Sequence, residues 1–112
     1  MGCLFCKMVK KEIPAQIVLE NEHVLAFKDI HPASPTHVVV IPKKHLDGIH
    51  DATPADAPML AELMLAGRQV AEELGLGDGY RLVINNGPDA GQSVSHLHLH
   101  VLGGRKMAWP PG

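Results

Sequence analysis

Neither sign of charge is in surplus: ten Lys and Arg against twelve Asp and Glu leave this 112-residue chain with a formal charge of -2. A nucleic-acid-binding domain neutralises phosphates with an excess positive field, so its absence excludes a polynucleotide as a natural partner. The short basic pairs Lys10-Lys11 and Lys43-Lys44 read as solvated faces. Cysteine is nearly missing as well. The only two occur as Cys3-x-x-Cys6, which makes no disulfide framework. No apolar run approaches the roughly 20 residues of a bilayer span. Nor does any stretch join a basic segment to an apolar run and a cleavage site. The expected location is the cytoplasm, with no membrane partner.

What is present is an ordinary globular composition, 46% hydrophobic and 20% charged, in a length suited to one domain, residues 1–112. Gly and Pro divide the chain into short elements. Leu4 to Lys11 reads as a short helix stopped before Pro14. Ile17 to Glu20 and His23 to Lys28 read as strands joined by a turn at Asn21-Glu22, followed by a Pro-bounded loop over 29–35. His37 to Ile41 is a β-branched strand ended by Pro42. Apolar residues at Leu60, Leu63, Met64, Gly67, Val70, Ala71 and Leu74 have helical spacing and predict one long helix from about Asp56 to a stop at Gly75. Tyr80 to Asn85 is a fourth strand, and a loop over 86–93 feeds a fifth. Short connections imply antiparallel pairing, and the class is α+β.

The fifth strand is the informative one: His96-Leu97-His98-Leu99-His100-Val101-Leu102. Successive side chains on a strand point to opposite faces, so three imidazoles share one face while Leu97, Leu99 and Val101 share the other. Packing gains nothing from three titratable rings in a row, which points to a metal or catalytic site. Alternate imidazoles could chelate a catalytic zinc. Alternatively, a central imidazole could attack phosphorus while its neighbours hold the phosphate and manage protons. The preceding turn, Gly91-Gln92-Ser93, is small and amide-rich, the kind whose backbone N–H groups approach an anion closely, and it favours phosphate.

This run resembles the His-φ-His-φ-His-φ-φ signature of the histidine-triad (HIT) nucleotide-binding superfamily. The resemblance extends through Lys11-Glu12-Ile13-Pro14-Ala15, Ala26-Phe27-Lys28-Asp29-Ile30, Pro35-Thr36-His37, Ile41-Pro42-Lys43-Lys44-His45, Gly79-Tyr80-Arg81 and the tail Gly103 to Gly112, all similar to the Hint branch. It implies a HIT-like five-stranded antiparallel sheet with one long and one short helix, continued across a homodimer. It also implies hydrolysis of purine nucleoside 5'-phosphoramidates to a nucleoside monophosphate and an amine. On that resemblance His98 is the nucleophile, forming a nucleotidyl-histidine intermediate, and its other ring N–H needs an acceptor, a backbone carbonyl on its own strand. His100 and His37 flank the phosphate, Ser93 bonds the departing nitrogen or a phosphate oxygen, and Gln92 and the Gly91 backbone position the phosphate. Asp29 takes the ribose, Phe5, Met8, Phe27 and Ile30 line the base pocket, and Asn85 contacts the sugar or phosphate. The nearest enzymatic alternative is a dinucleoside polyphosphate hydrolase or nucleotidyl transferase of the same fold. A nucleotide-binding or scaffolding module with incidental catalysis is the alternative of a different class.

Two further features complete the reading. Cys3-x-x-Cys6 alone is compatible with spare thiols or a redox pair. Histidine-triad relatives that carry this motif hold a structural zinc with both cysteines and two histidines, which match His45 and His96 here. The sole tryptophan, Trp109, lies in the final Trp-Pro-Pro-Gly. Chain ends usually fray, so a tryptophan there is expected to pack on something. The resemblance places it near the partner's active site. His23, His31 and His50 match no motif and are expected to face solvent.

Overall fold

In the computed structural model, which describes residues 2–112, the elements run α1 (Leu4–Val9), β1 (Ile17–Glu20), β2 (Val24–Lys28), β3 (Thr36–Pro42), α2 (Ala57–Glu73), β4 (Tyr80–Val83) and β5 (Leu99–Gly103). Single 3-10 turns occupy Ile49–Asp51, Pro54–Asp56 and Pro88–Ala90. The five strands form one antiparallel sheet in the order β1-β2-β3-β5-β4. The expected α+β class, with one long and one short helix on a five-stranded antiparallel sheet, is observed.

Alternation along the strands gives the sheet two unlike faces. One packs Val24, Ala26, Val38, Val40, Leu97, Leu99 and Val101 against Leu63, Ala66, Val70 and Ala71 of α2. The other carries Leu25, Phe27, Val39 and Ile41, and only Phe5 of α1 reaches it as a buried cover. In the β3–β5 register, Val39 faces His100 and His37 faces Leu102. The triad therefore lies on the face that α2 does not cover.

Element ends differ from expectation for local reasons. α1 stops at Val9 because Lys11 takes a left-handed backbone (φ 63°) and Glu12 N–H returns to the Lys7 carbonyl at 2.9 Å. The Asn21 side chain accepts from the N–H groups of His23 (2.8 Å) and Val24 (3.0 Å), so β2 starts at Val24. The α2 stripe turns by one position: Ala66 is buried and Met64 is 45% exposed. Gly75 ends that helix with φ 75°, as expected for a glycine stop. Lys43 and Lys44, read as free solvated charges, form ion pairs with Glu20 (2.8 Å) and Asp56 (2.6 Å). The histidine strand is shorter than its pattern. Pairing begins at Leu99, while His96 and His98 lie in the bend that precedes it, where Leu97 N–H bonds the Leu46 carbonyl at 2.7 Å.

Candidate active site and metal centre

The bend before β5 buries His96 and His98 completely or nearly so, against the edge-on ring of Phe5, whose centroid is 5.8 Å from His96 and 5.2 Å from His98. Nδ1 of His98 lies 2.7 Å from the backbone carbonyl of His96. A carbonyl only accepts, so Nδ1 carries a proton, and in the neutral ring the lone pair is on Nε2. This is the own-chain acceptor that a nucleophilic His98 requires.

A second chain of bonds orders the neighbouring rings. The backbone N–H of Ala33 donates to His37 Nδ1 at 3.0 Å, which places the His37 proton on Nε2. That Nε2–H donates to His100 Nδ1 at 2.8 Å and lies 3.5 Å from the Asp29 carboxylate. His100 accordingly holds its own proton on Nε2. Burial lowers the His37 pKa against the opposing pull of Asp29. Burial also pushes His100 down to about 4, reinforced by repulsion from His98 and His37. Both rings are therefore neutral at pH 7, and His100 is a donor.

These groups open onto a cleft of about 270 Å³. His98, His100, Ser93 and Asp29 line its polar side, and Phe5, Met8, Phe27 and Ile30 supply apolar wall. Such a cleft, mostly apolar with a few convergent polar groups, suits a small ligand with one flat apolar part and one charged part.

Beyond Phe5 lies a separate quartet, Cys3, Cys6, His45 and His96, with donor atoms all within 4.8 Å of one another. The sulfur-to-nitrogen distances are 3.4 Å (Cys3–His96), 3.3 Å (Cys6–His45) and 3.6 Å (Cys6–His96), and the two Nδ1 atoms are 3.0 Å apart. Tetrahedral zinc with bonds of about 2.3 Å to sulfur and about 2.0 Å to nitrogen separates such ligands by about 3.5 Å, so the quartet fits it. The outer nitrogens are engaged too: His96 Nε2 donates to the Pro42 carbonyl at 2.9 Å, and His45 Nε2 faces Asp47 Oδ1 at 2.7 Å. Both imidazoles thus turn Nδ1 inward, the orientation that second-shell acceptors impose on metal-binding histidines. Burial lowers the His96 pKa, keeping it neutral as a ligand must be. Burial and the Cys3 sulfur raise the Cys6 thiol, and a bound cation reverses that by favouring thiolates.

The HIT domain family matches residues 10–107. The chain belongs to that family. An uncharacterized HIT-like protein of Synechocystis is 54% identical over 97% of this chain and 96% of its own length. A 14 kDa zinc-binding protein of maize is 50% identical over 97% and 87%. Among solved structures, a HIT family hydrolase of Legionella pneumophila superposes with a TM-score of 0.97 at 49% identity, covering 99% of this chain and 100% of that one. A histidine triad nucleotide-binding protein of Candida albicans gives 0.83 at 32% identity, over 97% and 83%. A zinc-bound histidine triad family protein of Mycobacterium smegmatis gives 0.82 at 36%, over 94% and 76%.

In this HIT protein the expected residues divide between three places. His98, His100, Ser93, Asp29, Ile30, Phe5, Met8 and Phe27 line the cleft, and His37 stands behind His100. Asn85, Gly91, Gln92 and Trp109 lie outside the lining. The Gln92 amide is taken up by backbone groups: Oε1 accepts from Gly87 N–H at 2.8 Å, while Nε2 donates to the carbonyls of Asp47 (2.6 Å) and Val94 (3.0 Å). Its effect on the cleft therefore passes through the loop that carries Ser93. Trp109 is 81% exposed in the single chain, so nothing in its own protomer covers it. His31, expected in solvent, is exposed and also lines the cleft mouth. His50 bonds the Asn86 side chain at 2.9 Å. Sequence reading missed the Ala33 N–H, for which backbone donors leave no side-chain signal, and Asp47, whose signal was its position two residues after His45.

Proposed function

We propose that this HIT protein hydrolyses purine nucleoside 5'-phosphoramidates, cleaving the P–N bond through a covalent nucleotidyl-His98 intermediate. The observation that carries the reading is the His98 Nδ1–H bond to the His96 carbonyl, which leaves the Nε2 lone pair for phosphorus. Nε2 attacks phosphorus, the P–N bond breaks, and the amine departs with a proton that solvent water supplies through the Ser93 hydroxyl. Water then attacks the nucleotidyl-histidine, the P–Nε2 bond breaks, and the nucleoside monophosphate is released. The Nε2–H of His100 steadies a non-bridging oxygen in both transition states, with His37 fixing its orientation. Asp29 accepts from the ribose hydroxyls, and Phe5, Met8, Phe27 and Ile30 enclose the base.

Cys3, Cys6, His45 and His96 would hold zinc, which supplies structure by tying α1 to the bend before β5. His96 is a ligand in this reading and takes no part in the chemistry through its ring. The working unit is a homodimer in the cytoplasm. β4 is a free sheet edge, and Met64, Leu65 and Tyr80 are 45%, 60% and 40% exposed. A second copy joining at these elements would continue the sheet, and Trp109 would pack near its site. Among the described residues no helix is long and apolar enough to cross a membrane.

The test is turnover of adenosine 5'-phosphoramidate and of diadenosine polyphosphates by the wild type and His98→Ala. The expected result is P–N cleavage that falls by about 10⁴-fold or more in the variant. Turnover that survives His98→Ala would sink the mechanism, and a preference for the polyphosphate would replace the substrate.

A further inference from the structure

We propose that metal in the Cys3–Cys6–His45–His96 quartet and nucleotide in the adjoining cleft bind cooperatively, each raising the affinity for the other without touching it. The inference rests on the nucleotide reading of the cleft. Its physical basis is that three segments serve both sites.

The first is α1. Cys3 is its N-cap residue and Cys6 lies within it, while Leu4 and Phe5 between them, and Met8 one turn on, line the cleft. A helix of six residues with no side-chain N-cap bond has little stability of its own. Its placement depends on the buried Phe5 ring and on the two sulfurs. Those sulfurs stand 3.3 to 3.6 Å from the imidazole nitrogens of His45 and His96, and a thiol is only a weak hydrogen-bonding partner. Metal bonds to Cys3 and Cys6 would fix that wall of the cleft to His45 and His96.

The second is the loop that carries Ser93. His45 Nε2 engages Asp47, the Asp47 carbonyl accepts from Gln92, and Gln92 accepts from Gly87 N–H. Holding His45 still thus steadies the loop over the reacting phosphate. The third is His96, whose ring is a ligand and whose carbonyl receives the His98 proton. Whichever ligand binds first orders these segments, so the second pays less conformational entropy, and linkage makes the effect equal in both directions.

The affinity of AMP is measured by calorimetry on zinc-loaded and chelator-stripped protein, with far-UV circular dichroism on both. Zinc affinity is measured by competition with a chromophoric chelator, with and without saturating AMP. The expected result is an about tenfold gain for AMP on zinc loading and the same factor for zinc on AMP loading. Zinc release from the loaded protein into excess chelator needs no stable metal-free state, and saturating AMP should slow it by a similar factor. Equal release rates with and without AMP, or equal AMP affinities in folded protein of both kinds, overturn the coupling and leave the nucleotide reading standing. A zinc-loaded protein that binds no AMP overturns that reading and the coupling with it.

Discussion

The neutral state of His100 can be tested through stability. The ring has an ordinary pKa of 6.5, and burial with its histidine neighbours holds it at about 4. Above pH 6.5 the ring is neutral in folded and unfolded chains alike, and it adds nothing to the pH dependence. As pH falls below 6.5 the unfolded chain takes up the proton first, so stability is lost. The loss is complete below about pH 4, where both states are protonated. The full gap corresponds to about 3 kcal/mol, and about 1 kcal/mol of it is lost between about pH 7.5 and 5.5. Urea titrations of wild type and His100→Asn at those two pH values isolate it, because an asparagine Oδ1 takes the place of Nδ1 and can still accept the His37 Nε2–H. His96, also lowered by burial and not in contact with His100, titrates in both proteins and cancels, while any change at His37, which bonds His100, belongs to the difference. Wild type should lose about 1 kcal/mol more than the variant on acidification. Equal losses, within about 0.3 kcal/mol, would show that His100 titrates normally in the fold, and its role as a neutral donor would go with that result.

Other perturbations probe the remaining parts of the site. Asp47→Ala, which removes the acceptor from His45 Nε2, should weaken zinc binding about tenfold in a chelator competition, and an unchanged affinity would show that Asp47 does not orient the ligand. Gln92→Ala deletes one bond inside the 86–93 loop and two that tie it to Asp47 and Val94, and should cost about 1–2 kcal/mol while speeding amide exchange at Gly87; unaltered exchange would contradict the bracing role. Sedimentation should give twice the 12.1 kDa chain mass, with Trp109 emission shifting to the red on dilution. A monomer, or a fully hydrated indole at all concentrations, would remove the dimer.

The chemistry-bearing residues were legible because their spacing is tied to backbone period. Alternation alone put His96, His98 and His100 opposite Leu97, Leu99 and Val101, and the sheet has that division even though pairing begins only at Leu99. The metal quartet was reached by resemblance, since nothing in the spacing of Cys3-x-x-Cys6 joins it to histidines 39 and 90 positions away along the chain. Helical periodicity located α2, yet it placed Met64 in the core, because the choice between Met64 and Ala66 is set by how the helix rotates on the sheet. Lys43 and Lys44 read as free charges because their acids, Glu20 and Asp56, are brought near only by the folded chain. The Ala33 N–H on His37 was out of reach for a more basic reason: it is a main-chain group, identical at every non-proline position.

His37 and His100 stand on different strands and meet only because β3 and β5 pair with Val39 opposite His100. A slip of one residue would preserve strand content and much of the compactness, yet it would send the two rings to opposite faces. The pair is thus a parity check on pairing. During refolding, far-UV signal reports that α2 and the strands have formed, whereas recovered turnover reports that these two strands have settled in the register that sets Val39 opposite His100.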